Sequence, residues 1–210
     1  MVKKEPSNNY KRMTYQEQVF ELPALTGISP KQLEVHLALY KGYVKNVNLL
    51  MATVAAYQKT EDEGGKYAVA EMRRRLAFEF DGMRMHEYYF SQWEKEKKEL
   101  DANSALAASL VRQYGSIDTF LAEFKAVGMM RGIGWTVLYF DEKAGLFHIA
   151  WVADHELGQL SGLPIILAMD MWEHAYMVDY VPADKKNYIE AFFENLNWDT
   201  VTARFTEACA

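Results

Sequence analysis

The chain is poorest in cysteine: Cys209, second from the end of 210 residues, is the only one. That excludes an intrachain disulfide and a thiolate metal cluster. Proline is also scarce, at five residues, and glycine at 12 leaves long uninterrupted segments free to form helices. No apolar run approaches the ~20 residues that span a bilayer. The first residues, MVKKEPSNNYKRMTYQEQ, are polar and lack the apolar stretch of a secretory signal. Residues 1–18 therefore read as a polar, mostly disordered tail, and a cytoplasmic location is expected. Basic excess is lacking too. The formal net charge of −6 argues against nucleic acid and anionic membranes as partners.

What is abundant is hydrophobic and aromatic. Half the residues are hydrophobic, with 13 Tyr, 11 Phe and 5 Trp. A chain of this length can bury a large core. ISPKQLEVHLALYKGYVKNVNLLMATVAAYQK reads as one long helix. It opens at Ser29-Pro30, where Ser is a good N-cap and Pro a good first residue. EDEGG (61–65) breaks it, and a second helical pattern runs from about Lys66 to Lys98, giving an antiparallel hairpin. Helices follow at 104–114 and 117–130. The period then changes. GWTVLYF (134–140), a DEKAG turn and LFHIAWV (146–152) read as a β-hairpin, and LPIILAMD (163–170) as a buried third strand. Two short helices close the chain, at about 183–196 and 198–207. The fold class is α+β: a helical hairpin over 19–100, then an α/β domain over 101–210 built on a three-stranded antiparallel sheet.

Chemistry concentrates at five histidines: His36, His86, His148, His155 and His174. Antiparallel pairing can bring His36 and His86 together on facing helices, although either alone can be an ordinary core or surface histidine. His148 alternates with apolar neighbours and reads as structural or exposed. The densest signal is MDMWEHAY, 169–176. Asp170 ends an apolar strand, where a carboxylate needs a compensating charge, and His174 follows four residues on. The two can converge on a cation, or form an ion pair that closes the strand-to-helix turn. Three imidazoles and one carboxylate suit iron or manganese, and also zinc.

In these segments the sequence resembles the iron/manganese superoxide dismutase family. The resemblance covers residues 19 to 208 and rests on five stretches in order. Asp170-Met171-Trp172-Glu173-His174-Ala175-Tyr176 is the most specific. FELPAL (20–25), His86 with Tyr88-Tyr89-Phe90, GIGW (132–135) and NLNWDTV (195–201) are the others. The resemblance implies a dismutase acting on superoxide anion through one iron or manganese ion per chain, cycling between the 3+ and 2+ states. His36, His86, Asp170 and His174 would be its ligands and a solvent molecule would complete the site. It implies Tyr43 as guard of the substrate channel, and Trp135, Trp172 and Phe90 as an aromatic shell. It also implies a homodimer or tetramer, with Glu173 and Tyr176 at the interface and Glu173 reaching His174 of the partner subunit. His155, fifteen residues before Asp170, matches the residue that bonds the metal-bound solvent; a surface-loop position is the competing reading. Histidine there favours iron.

Two departures stand out. His36 and Tyr43 are seven residues apart, one fewer than usual in the family. At about 100° per residue, seven residues make nearly two turns, so both side chains share one face of a regular helix, whereas the longer spacing calls for a π-bulge. Leu39 and Tyr40 occupy the stretch where the family has a histidine that bonds a tyrosine of the other subunit. That substitution favours a second reading, a non-catalytic metal-binding or dimerisation protein that keeps the fold. A ferritin-like di-iron protein would need Glu-x-x-His pairs, and none occurs. Because the chain and its implied substrate are both negative, attraction would have to be local; Lys41, Lys185 and Lys186 are candidates.

Overall fold

A computed structural model describes residues 14–57, 59 and 61–210. Helix α1 spans Pro30–Tyr57 and α2 spans Glu63–Ser91. The Ser29 hydroxyl accepts from the Gln32 N–H at 3.0 Å, which caps α1. Contacts between the helices run in opposite order, Tyr40 with Glu87 and Asn46 with Glu79, so the pair is an antiparallel hairpin. The second helix begins and ends earlier than expected from its sequence. Asp62 caps it by accepting from Gly65 N–H at 2.7 Å, so Gly64 and Gly65 lie in the first turn and not in a break. It stops at Ser91 because Gln92, the C-cap, is drawn into other bonds: its side chain pairs with the Ala168 backbone and its carbonyl accepts from Asn197 N–H at 2.9 Å. The charged stretch after it is a loop with Lys95 in the left-handed region.

Residues 14–18 correct the expectation of a disordered tail as far as it falls on them. Asn48 brackets the Tyr15 backbone, accepting from its N–H and donating to its carbonyl at 2.9 Å each. Gln18 N–H donates to the Tyr40 hydroxyl at 2.8 Å. Residues 1–13 lie outside those described.

The second half carries α3 (Ala105–Tyr114), α4 (Ile117–Gly128), β1 (Gly134–Asp141), β2 (Leu146–Ala153), β3 (Ile165–Asp170), α5 (Lys185–Glu194) and α6 (Trp198–Ala208). Two 3₁₀ turns, Glu173–Ala175 and Pro182–Asp184, were not anticipated. The sheet order is β2-β1-β3, antiparallel throughout. Central β1 is buried along almost its whole length, which is why its sequence is a near-continuous apolar run. Gly134 opens it with φ +147°, and a Cβ there would lie 2.1 Å from the Val152 carbonyl oxygen, so no other residue fits. That close approach fits the β1–β2 register, Gly134 opposite Ala153, while on the other edge of β1 Trp135 pairs with Asp170. One hydrophobic cluster joins the inner faces of α1 and α2 to the sheet and to α5 and α6. The site sits inside it.

Candidate metal centre

Four elements deliver the site. His36 comes from α1, His86 from α2, Asp170 from the last position of β3 and His174 from the 3₁₀ turn beyond it. Their nearest side-chain N and O atoms all lie within 4.8 Å of one another. They converge on one oxygen: Asp170 Oδ2 is 3.1 Å from His36 Nε2, 3.1 Å from His174 Nε2 and 3.6 Å from His86 Nε2. The other oxygen, Oδ1, accepts from Trp172 N–H at 2.8 Å, which turns the chain from strand to 3₁₀ turn and brings His174 round. Tyr188 donates to the Asp170 carbonyl at 2.7 Å, and Gln32, one turn before His36, donates to the His174 carbonyl at 2.6 Å.

The protonation pattern shows what the cluster is suited to hold. Burial lowers the pKa of both His36 and His86, so both rings are neutral. Burial would raise that of Asp170, but His174 and His36 outweigh it and hold the carboxyl well below the usual range, ionised. His86 Nδ1 lies 2.5 Å from the Gly82 carbonyl, which can only accept, so the single ring proton is on Nδ1. Nε2 is therefore a lone pair, fully buried, with no hydrogen-bond partner, aimed at an anionic oxygen. A buried acceptor facing a buried acceptor is unfavourable. A cation between them removes the conflict, and the set of three nitrogens and one oxygen fits iron, manganese or zinc.

Tyr43 and His155 stand beside this cluster. The Tyr43 ring lies 5.2 Å from that of His86 and packs over Gly82. The α1 helix is continuous through His36 and Tyr43, and both side chains reach the site. His155 is fully buried, so the surface-loop alternative does not hold. Its Nδ1 accepts from Trp135 Nε1–H at 3.0 Å, and its Nε2 is 2.7 Å from the Tyr43 hydroxyl. Burial pulls its pKa down to about 4. The neutral ring then carries its proton on Nε2 and donates to Tyr43, whose own hydroxyl proton is left free to be given elsewhere. Burial, then Asp170, pushes the Tyr43 pKa up, so the phenol stays protonated.

Aromatic rings enclose the cluster. Trp135 stands 5.2 Å from His86, Phe90 4.9 Å from His36, and Trp172 stacks on His174 at 5.5 Å and on His155 at 4.8 Å. Glu173 is exposed in the single chain, and Tyr176 stacks on Tyr188 at 5.1 Å. His148 is exposed on β2. Tyr40 is buried and donates to Glu87.

Several contributors were not singled out from the sequence. Gly82, Phe78 and Gln32 sit four or eight residues before a histidine of the cluster, a spacing that puts them on the same helix face. That periodicity was the available signal.

Residues 102–204 match the family model described as "Iron/manganese superoxide dismutases, C-terminal domain". The chain is 31% identical to "Superoxide dismutase [Fe]" of Sulfolobus acidocaldarius over 198 residues, covering 92% of this chain and 93% of that protein. It is 33% identical to "Superoxide dismutase [Fe]" of Aquifex pyrophilus over 188 residues, with 88% and 87% covered. The chain belongs to the iron/manganese superoxide dismutase family. A "Superoxide dismutase [Mn] 2" of Haloferax volcanii is also similar, 30% identical over 173 residues with 82% and 84% covered. The two metals named among these dismutase relatives, iron and manganese, are among those that the donor set accommodates. Among the described residues no helix is long and apolar enough to cross a membrane.

Proposed function

We propose that the chain is a superoxide dismutase: two superoxide anions and two protons become dioxygen and hydrogen peroxide. The observation that carries this reading is the convergence of His36, His86 and His174 on Asp170 Oδ2, with the unpartnered His86 Nε2 lone pair aimed inward. In this reading those four residues hold one iron or manganese ion per chain, and the ion supplies a one-electron redox couple. The histidine at 155 favours iron.

The chain's own residues then have separable tasks. Tyr43 holds a proton at its hydroxyl, and the Nε2–H of His155 fixes that hydroxyl so that its proton is directed away from His155. Trp135 fixes the His155 tautomer by donating to Nδ1. Trp135, Trp172 and Phe90 exclude bulk water from the carboxylate, which strengthens the pull of the site on a cation. The helical hairpin, residues 19–100, contributes His36, His86 and Tyr43; residues 101–210 contribute Asp170, His174 and His155. The exposed Glu173 beside a half-buried His174 supports a homodimer or tetramer in which Glu173 bonds His174 of the partner subunit, with Tyr176 near the same interface. A cytoplasmic location completes the reading.

The test is reconstitution of the apo-protein with iron and with manganese separately, with superoxide disappearance and metal content measured for each. Activity with either metal, absent in the apo-protein, is expected. Tight metal uptake with no disproportionation for either metal would instead favour the non-catalytic reading raised by Leu39 and Tyr40.

A further inference from the structure

Along α2 a line of residues leads from the surface to the metal cluster, and a cation, Arg75, stands at its outer end. Arg75, Phe78, Gly82 and His86 follow one another at helical spacing on α2, from exposed to fully buried. The Arg75 guanidinium lies over the Phe78 ring, its Cζ 3.7 Å from the ring centre. Phe78 in turn stands 4.7 Å from His155 and 6.4 Å from Trp172. Arg75 Nε also donates to Glu79 Oε1 at 3.0 Å. The two partners differ in exposure: the arginine side chain is 54% exposed and the glutamate 7%. Glu79 is held at its second oxygen by Asn46 at 3.2 Å.

Glu79, a buried carboxylate beside this line, would repel an approaching anion. Both charges reach the Tyr43 hydroxyl: burial does most to raise its pKa, Asp170 and Glu79 add to it, and Arg75 opposes them. Two of the three lysines offered by the sequence have contacts of their own. Lys41 faces Glu17 at 3.8 Å and Lys185 donates to the Met130 carbonyl at 2.8 Å.

We infer that Arg75 is the anion-guiding residue of this site, cancelling the buried charge of Glu79 and presenting the outward positive charge over Phe78 that draws superoxide toward Tyr43 and the metal cluster. The inference rests on the dismutase reading for its substrate, but its chemistry concerns any small monovalent anion. A charge within about one Debye length of the path, ~10 Å at 0.1 M salt, changes local anion concentration about two- to fourfold.

The pair makes opposite variants informative. Azide serves as the probe anion, titrated spectroscopically into the iron(III)-loaded protein. Arg75→Gln leaves Glu79 uncompensated and should raise the azide dissociation constant about threefold. Glu79→Gln keeps the Asn46 contact, frees the positive charge and should lower it by a similar factor. The double variant should return near the starting value. The shifts should shrink as ionic strength rises from about 0.01 M to about 0.3 M, and kcat/KM for superoxide should follow the same order. A structural role alone would move both single variants the same way, independently of salt, and that result would overturn the inference. If the unaltered holoprotein fails to consume superoxide, the dismutase reading falls, while the azide titrations still decide the role of Arg75.

Discussion

Gly82 provides a severe test of how the site is assembled, because ordinary helix energetics and the local packing give opposite signs. Glycine inside a helix costs about 1 kcal/mol relative to alanine, so Gly→Ala normally stabilises. Gly42, in α1, has nothing within 4 Å of where its Cβ would lie. Gly42→Ala should therefore gain about 1 kcal/mol, raising Tm by about 2–4 °C in a protein of this size. Gly82 lies under the Tyr43 ring, and a Cβ there would stand 2.6, 2.8 and 3.0 Å from Cδ1, Cε1 and Cγ. Overpacking of this kind costs about 1–3 kcal/mol. The net for Gly82→Ala is a loss of about 1 kcal/mol, or a Tm lower by about 2–4 °C.

The functional loss should exceed the stability loss. Relief of the clash moves the Tyr43 ring and stretches its 2.7 Å bond to His155. Thermal unfolding and superoxide turnover of the metal-loaded protein would be measured for Gly42→Ala, Gly82→Ala, Tyr43→Ala and the Gly82→Ala/Tyr43→Ala pair. Without the ring, adding Ala at 82 should stabilise, as at 42. If Gly82→Ala raises Tm by as much as Gly42→Ala and leaves turnover intact, the packing of Tyr43 on α2 is not what positions it.

Further predictions concern the cluster and its surroundings. Asp170→Ala should abolish metal retention, read by metal analysis, because three neutral imidazoles keep no anionic partner for the cation; a fully loaded, active variant would refute the site. His155→Ala should retain metal but slow turnover and change the redox behaviour, since the Tyr43 hydroxyl loses its fixed donor; unchanged rate and spectrum would sink its role. Asp81 is half-buried, and burial, with Glu156 nearby, pushes its pKa up to about 6. Its folded pKa exceeds its unfolded one, so it protonates more readily when folded and destabilises the fold at pH values above about 6. Asp81→Asn should therefore stabilise by about 1 kcal/mol at pH 8 after discounting for solvent screening, and the gain should vanish below about pH 4; a gain that persists there would contradict it. Glu173→Ala should shift the assembly toward monomer in light scattering, and an unchanged mass would argue against its place at an interface.

Much of this protein follows from short-range rules acting on the sequence. Ser29-Pro30 caps α1, the apolar run GWTVLYF before a DEKAG turn reads as a strand, and the seven-residue step from His36 to Tyr43 keeps both on one face of a continuous helix. The four clustered residues were legible because DMWEHAY combines a carboxylate at the end of an apolar strand with a histidine four residues on, in a chain that resembles a known family. Helix ends were less legible: Asp62 could absorb two glycines into the first turn, and the stop at Ser91 depends on Ala168 and Asn197, distant in sequence. The tertiary structure alone decided the rest. That His86 carries its proton on Nδ1 depends on the Gly82 carbonyl within α2, but that its Nε2 then faces Asp170 depends on how α2 packs on β3. That His155 is buried between Trp135 and Tyr43, and that Phe78 beneath the Arg75 guanidinium meets His155 and Trp172, are contacts between elements far apart in sequence. Periodicity fixes which face a residue occupies; only the packing of faces fixes what it meets.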